Sequence, residues 1–375
     1  MYEHEDILKE LNSNLPIREK LVSVHRVLKQ RYECIDRVAV AMHDPKTDAL
    51  KTFVDSSGAD QPLRQYEARL ADSTSLTEIL TVGRPRVVHD MDIFAGGTQL
   101  HTQRLHAQGY RSSYTLPMYL DGQFFGFVFF NSYQHDPFTA DALHYLDLFG
   151  HLIALVVISE ISQIHTLLGA IKSARSMTHH RDMETGAHLD RMAHYAQLIA
   201  RELAQDYAFT DEYIEHVFLF APLHDIGKIG IPDRILLKPG ALTAVERTEM
   251  QSHTHKGRQI IDEMLNDFGL GTISHVDILR NIAQSHHEAI DGSGYPAGLK
   301  GAEIPIEARI IAVADIFDAL TSVRPYKPAW SVDDAFAALR KLAGAKVDPD
   351  CVEALARKRA QVEQIQIRFS EDPYG

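Results

Sequence analysis

The spacing of apolar residues changes once, near residue 140, and a single layer of secondary structure cannot accommodate both patterns. Ahead of that point the pattern alternates. RVAVAMHD and ALKTFVDSS read as strands joined by the turn DPKTD. SSYTLPMYLDGQFFGFVFFNS reads as a hairpin around Asp121-Gly122, a dipeptide suited to a positive-φ turn. The preceding REKLVSVHRVLKQRY has apolar residues at helical spacing. Helix, strands, a long irregular middle and a closing hairpin predict an α+β domain with one antiparallel sheet. From Thr139 to about Leu203 the pattern is helical almost without a break. Residues 175 to 345 then read as helices separated by short loops containing Gly and Pro. A chain of 375 residues is long enough for both domains.

The helix between them carries Ile153, Val157, Ile164, Leu168 and Ile171 at steps of three, four and seven. Two arrangements fit that spacing: a helix packed on its own domain, or a connecting helix that pairs with its twin in a parallel homodimer. The longest uninterrupted apolar stretch, LIALVVI at 152 to 158, is too short to cross a bilayer, and MYEHEDILKE has no apolar leader. With only Cys34 and Cys351, there is no disulfide framework or thiolate metal cluster, which fits a reducing compartment. The expectation is a soluble, cytoplasmic protein with no membrane partner. A formal net charge of −13 argues against a nucleic-acid polymer as partner. A site for a phosphorylated ligand must then draw positive charge from metal ions or a few local cations.

Histidine is abundant, with 21 in the chain, and it is the side chain most often used to bind transition metals. ETGAH sets Glu184 and His188 four residues apart, on one helix face. HDIGK supplies His224 and Asp225, with Lys228 one turn later. SHTHKG offers His253, and HHEAIDGSGYP runs His286 and His287 into a tight loop. AVADIFDAL carries Asp315 in an apolar helical stretch, where an uncompensated carboxylate would be costly. Taken singly, each piece also reads as an ordinary solvated face, cap or turn. Together they are five histidines and three carboxylates with no thiolate, a mix suited to iron, manganese or zinc in a multinuclear hydrolytic site. His179, His180, His194, His216, His255 and His275 read as surface or supporting residues.

The ordered set ETGAH, HDIGKIGIPD, HTHKG, HHEAIDGSGYPAGLKGAEIP and ARIIAVADIFDALTSVRPYK resembles the HD-GYP family of cyclic di-GMP phosphodiesterases over roughly residues 175 to 340, within a domain expected at 175 to 345. The first part, about 18 to 158, resembles a GAF sensory domain through its strand order, DGQFFGFVFF and FTADALHYLDLFGHLIA. These resemblances imply a GAF-like α+β domain joined by a connecting helix, 140 to 178, to an all-α HD-type bundle, with 346 to 375 as a C-terminal extension. They imply metal binding by Glu184, His188, His224, Asp225, His253, His286, His287 and Asp315. Two or three ions are expected, with iron commonest and manganese an alternative; the glutamate at 184 goes with the third.

The resemblance also makes His224, Asp225 and Lys228 the catalytic set. Lys228, Gly294, Tyr295, Pro296, Arg324 and Lys327 would be the substrate contacts. The implied reaction is hydrolysis of cyclic di-GMP to pGpG and GMP, with the GAF ligand open. Cleavage of another cyclic dinucleotide such as cyclic GMP-AMP, and a non-catalytic cyclic di-GMP receptor, are the alternatives. At Ala289-Ile290 the sequence departs from the basic and aromatic residues many members carry, which bears on substrate affinity and loop position.

Overall fold

A computed structural model describes residues 4–57, 66–94, 107–177, 186–271, 275–322 and 329–370. The chain divides into two compact units, Met1–Ser162 and Gln163–Gly375.

The first unit is built on a six-stranded antiparallel sheet. Its strands are β1 (Arg37–Asp44), β2 (Ala49–Asp55), β3 (Glu67–Arg69), β4 (Arg86–Val88), β5 (Ser112–Leu120) and β6 (Gln123–Ser132), in the order β3-β2-β1-β6-β5-β4. The expected hairpin is present: Leu120 pairs with Gln123, and Asp121 and Gly122 both take positive φ, 50° and 81°. That two-residue turn matches the right-handed strand twist. Both edge strands are only three residues long, which limits edge-to-edge pairing. The central strands bury Val38, Val40, Phe127, Val128 and Phe130. At Gly126 any Cβ would sit 2.0 Å from the Ala41 carbonyl oxygen, so only glycine lets β6 lie this close to β1. Helix α1 (Ile17–Arg31) buries Ile17, Leu21, Val24 and Leu28, one face at steps of four, three and four. A short helix α2 (Thr74–Val82) closes on a left-handed Gly83.

Helix α3 (Ala140–Met177) begins in the first unit and continues past its boundary. Gly150 lets it approach the sheet, since a Cβ there would meet Leu116 at 2.5 Å, and the Tyr114 hydroxyl donates to Asp147. An 18-residue window within Ala140–Ala170 has a mean hydropathy of 1.7, so by length and composition this part of the helix could cross a membrane, which the stretch 152–158 alone does not convey. Of its apolar residues, Leu146, Ile153, Val157, Ile161, Ile164 and Leu167 are buried, while Leu148 and Leu155 are exposed. Ile153, Val157 and Ile164, expected from spacing as possible seam positions, are thus buried within the single chain. Over so few turns, a 3.5-residue seam and a 3.6-residue core face differ by only about 20° per heptad.

The second unit is helical. Helix α4 (Gly186–Glu202) is buried continuously from Arg191 to Ala200 and forms its axis. Around it pack α5 (Asp211–Phe220), α10 (Ile306–Thr321), α12 (Pro349–Arg357) and α13 (Arg359–Arg368). Helices α6 (Asp233–Leu236), α7 (Ala244–Gln251), α8 (His253–Asp267), α9 (Val276–Ser285) and α11 (Val332–Leu342) complete the described elements. The polar C-terminal stretch is folded: α12 buries Cys351, Val352, Ala354 and Leu355, and α13 buries Val362.

Candidate metal centre

Five segments of the second unit deliver the histidines and carboxylates to one place. After α5 the chain makes a short 3-10 turn over Ala221–Leu223 and presents His224 and Asp225; a second such turn follows over Ile226–Gly230. Gly227 makes the next approach feasible. A Cβ there would lie 1.8 Å from the His253 carbonyl oxygen and 2.4 Å from the Gly257 nitrogen, so glycine seats this loop against the start of α8. Asp225 and His253 are thereby brought to 3.1 Å, Oδ1 to Nε2. Helix α9 ends at Ser285 and hands on His286 and His287, whose rings lie 4.1 Å apart, centroid to centroid. Helices α4 and α10 supply His188 and Asp315.

Seven of the eight ligands expected from sequence lie among the described residues, and all seven fall into two groups. Asp225, His253, His286 and His287 form one; His188, His224 and Asp315 form the other. Within each group the ligating atoms lie within 4.8 Å of one another. The adjacent His224 and Asp225 link the groups, with Nε2 and Oδ2 3.1 Å apart. Glu184, Arg324 and Lys327 lie outside the described residues.

The hydrogen bonds fix which nitrogen faces the centre. Nδ1 of His224 donates to the Ala221 carbonyl, that of His253 to Met250 and that of His286 to Ile282, at 3.1, 2.8 and 2.9 Å. A carbonyl can only accept, so each Nδ1 carries the proton and each Nε2 keeps its lone pair. His188 is held by a carboxylate instead: its Nδ1 donates to Asp318 Oδ2 at 2.8 Å. Asp225 Oδ1 and the Nε2 atoms of His253 and His286 are buried and lack a hydrogen-bond partner. Lone pairs facing a carboxylate oxygen in a dry site repel unless a cation lies among them. The donor set, nitrogen and oxygen without sulfur, fits a hard or borderline divalent metal.

The charges are arranged accordingly. Burial would raise the Asp225 carboxyl, but His224 and Lys228 beside it hold it well below the usual carboxylate range. Lys228 Nζ lies 2.7 Å from Asp225 Oδ2. Burial pushes His286 down against the pull of Asp225. Burial, with His286 adjacent, pushes His287 down strongly, so both imidazoles stay neutral, as ligands must be.

The Gly-Tyr-Pro loop closes over one side. Gly294 has to be glycine, because a Cβ would stand 2.2 Å from the Ala289 nitrogen and 2.5 Å from the Glu288 Cα. Tyr295 packs on the His287 ring, centroids 4.8 Å apart, and Pro296 follows through a cis bond. Ala289 is buried at this crossing and Ile290 partly so, which puts the departure from the family pattern on the inner side of the loop.

Three residues that hold the centre together carry no expectation from sequence. Asp318 is fully buried and accepts from His188, from Arg191 Nε and Nη2 at 2.6 and 2.9 Å, and from Ser322 at 2.9 Å. Arg191 is its buried counter-ion. Glu288 accepts from the amides of Ala297 and Leu299 at 2.7 and 3.0 Å, pinning the loop from inside. Asp318 sits one turn after Asp315 on the same helix, and a second carboxylate in so apolar a stretch was the signal available.

Comparison with known proteins agrees with this architecture. Residues 182–351 match the HD domain family and residues 21–157 the GAF domain family. The chain is 48% identical over 191 residues to the cyclic di-GMP phosphodiesterase response regulator RpfG of Xanthomonas campestris pv. campestris (strain 8004), covering 51% of this chain and 48% of that protein. It is 43% identical over 206 residues to a cyclic di-GMP phosphodiesterase of Vibrio cholerae serotype O1, covering 54% and 42%. A 3'3'-cGAMP-specific phosphodiesterase 2 of the same organism is 36% identical over 209 residues, covering 55% and 37%. The chain thus spans about half the length, or less, of these curated relatives.

Proposed function

We propose that this chain, which joins a GAF domain to an HD domain, is a metal-dependent phosphodiesterase hydrolysing cyclic di-GMP to pGpG and then GMP. The observation that carries the reading is the pair of ligand groups sharing the His224-Asp225 link, a donor set built for neighbouring cations. His188, His224 and Asp315 would hold one ion, and Asp225, His253, His286 and His287 another. Glu184 is the proposed ligand for a third. Iron is the proposed metal, with manganese the alternative. Bound there, the ions would supply Lewis-acid charge for the phosphodiester oxygens and an activated water at neutral pH.

The chain's own residues do the rest. Asp225 spans both groups and is the proposed bridging carboxylate. Lys228 adds a positive charge beside the centre, where a phosphodiester gains negative charge in the transition state. Gly294, Tyr295 and Pro296 shape the wall against which the dinucleotide would lie, and Arg324 and Lys327 are the proposed further phosphate contacts. Glu288 keeps that wall in register with His286 and His287. The GAF domain is the proposed regulator, acting through helix α3. Pairing of two copies through this helix would use Leu148 and Leu155, one heptad apart and 58% and 60% exposed.

The test is anaerobic purification with metal analysis, followed by chromatography of the products. Wild-type protein is expected to convert cyclic di-GMP, and the H224A/D225A variant to lose both bound metal and turnover. Persisting turnover in that variant would place the chemistry elsewhere. The likeness to a cGAMP-specific enzyme supports a second substrate reading, and the same assay with 3'3'-cGAMP separates the two by relative kcat/KM.

A further inference from the structure

A second group of metal-ligating side chains lies in the helical unit and shares no residue with the centre described above. Glu212 and His216 stand four apart on one face of α5. His275 comes from the residue just before α9, held in the left-handed conformation at φ 58°. The ligating atoms of the three lie within 4.8 Å of one another.

Glu212 is 3% exposed and His216 is fully buried, while the His275 side chain is 29% exposed. His216 Nδ1 donates to the Glu212 backbone carbonyl at 2.7 Å, which leaves Nε2 as its lone-pair nitrogen. The His216 and His275 rings are 4.9 Å apart, centroid to centroid. Glu212 Oε1 is buried without a hydrogen-bond partner, and His275 Nε2 stands 3.4 Å from it. A carboxylate oxygen removed from water and left without a donor is costly. A cation among these three groups would satisfy it.

We propose that Glu212, His216 and His275 bind one divalent cation of the zinc class, separately from the catalytic centre. Two imidazoles and a carboxylate are a tetrahedral zinc donor set with one position left for water, and the exposed side of His275 gives the ion its way in. The position explains what it would do. Helix α5 leads directly to His224 and Asp225, and α9 leads directly to His286 and His287. An ion at the start of both helices clamps together the two elements that deliver four of the catalytic ligands. It does so from roughly 15 Å away, the length of α9 at 1.5 Å per residue.

The experiment uses full-length protein stripped of metal and dialysed against zinc, with bound ions counted by mass spectrometry. Wild type is expected to hold about one zinc per chain more than either H275A or E212Q. Zinc is also expected to raise the Tm of wild type more than that of either variant. H275A removes a partly exposed side chain and E212Q keeps the shape of the buried one, so at least one fold-competent variant is secured; circular dichroism checks each. A folded variant that keeps the wild-type zinc count overturns the proposal and leaves Glu212 and His275 as a plain ion pair. Because the readout is stoichiometry at residues outside the catalytic groups, the result does not depend on which phosphodiester the enzyme cleaves.

Discussion

Replacing Asp318 with asparagine tests whether His188 is held by a buried ion pair, and the expected effect is large. The carboxylate is completely buried and takes two hydrogen bonds from Arg191, itself 5% exposed. Burial alone would raise this carboxyl, yet His188 and Arg191 keep it lowered, so it is ionised in the folded protein. The D318N substitution keeps the shape but discards the negative charge that faces the buried Arg191 guanidinium. Breaking one side of such a pair costs about 3–5 kcal/mol. For a unit of this size each kcal/mol lowers Tm by about 2–4 °C, so D318N should melt roughly 6–20 °C lower in calorimetry. The amide also accepts less strongly from His188 Nδ1, and loss of such a support typically weakens metal affinity about 10–100-fold. The double variant D318L/R191M should regain much of the stability, since an apolar pair removes the buried charge, but not the metal affinity. A D318N protein melting within a degree or so of wild type, with unchanged metal content, would refute this account of His188.

Further outcomes follow from other contacts. Gly227→Ala drives a Cβ into the His253 backbone and should cost about 1–3 kcal/mol or more in urea unfolding, with metal content falling because Asp225 and His253 are forced apart; an unchanged midpoint would contradict the close approach. Glu288→Gln turns one of the two acceptor oxygens into a donor facing either Ala297 or Leu299, so hydrogen exchange at that amide should quicken while the α4 core stays protected. In the first unit, burial pushes His25 down despite its bond to the Ile35 carbonyl. Its folded pKa is below its unfolded one, so the unfolded chain takes up the proton first and stability falls as pH drops through about 6.5. His25→Gln should flatten that slope between pH 7 and 5, and identical slopes would exclude the residue as the source.

The parts of this protein that could be read in sequence share a local signature. The hairpin at Asp121-Gly122 and the amphipathic α1 are encoded within a few residues, and the ligands come as short polar runs inside apolar surroundings. Residues whose meaning is a partner far along the chain could not be read this way. Arg191 and Asp318 meet across 127 residues, and neither has a local pattern that predicts the other. The buried face of the connecting helix was hard to read for a different reason. Ile153, Val157 and Ile164 have the spacing of a dimer seam, but a core-facing helix over the same length has nearly the same spacing. His216 and His275 read from sequence as surface or supporting residues, and only the approach of the start of α9 to α5 sets His275 beside Glu212 and His216. The C-terminal stretch hid its fold because α13 buries only Val362.

The most direct test of the central claim is metal reconstitution of stripped protein, with iron or manganese added stepwise under anaerobic conditions and cyclic di-GMP turnover followed at each step. The account predicts no turnover without metal, and turnover rising as ions fill the groups linked by His224 and Asp225. The same titration on D225A should give no turnover at any metal concentration. Full turnover by protein shown by elemental analysis to be metal-free would contradict it.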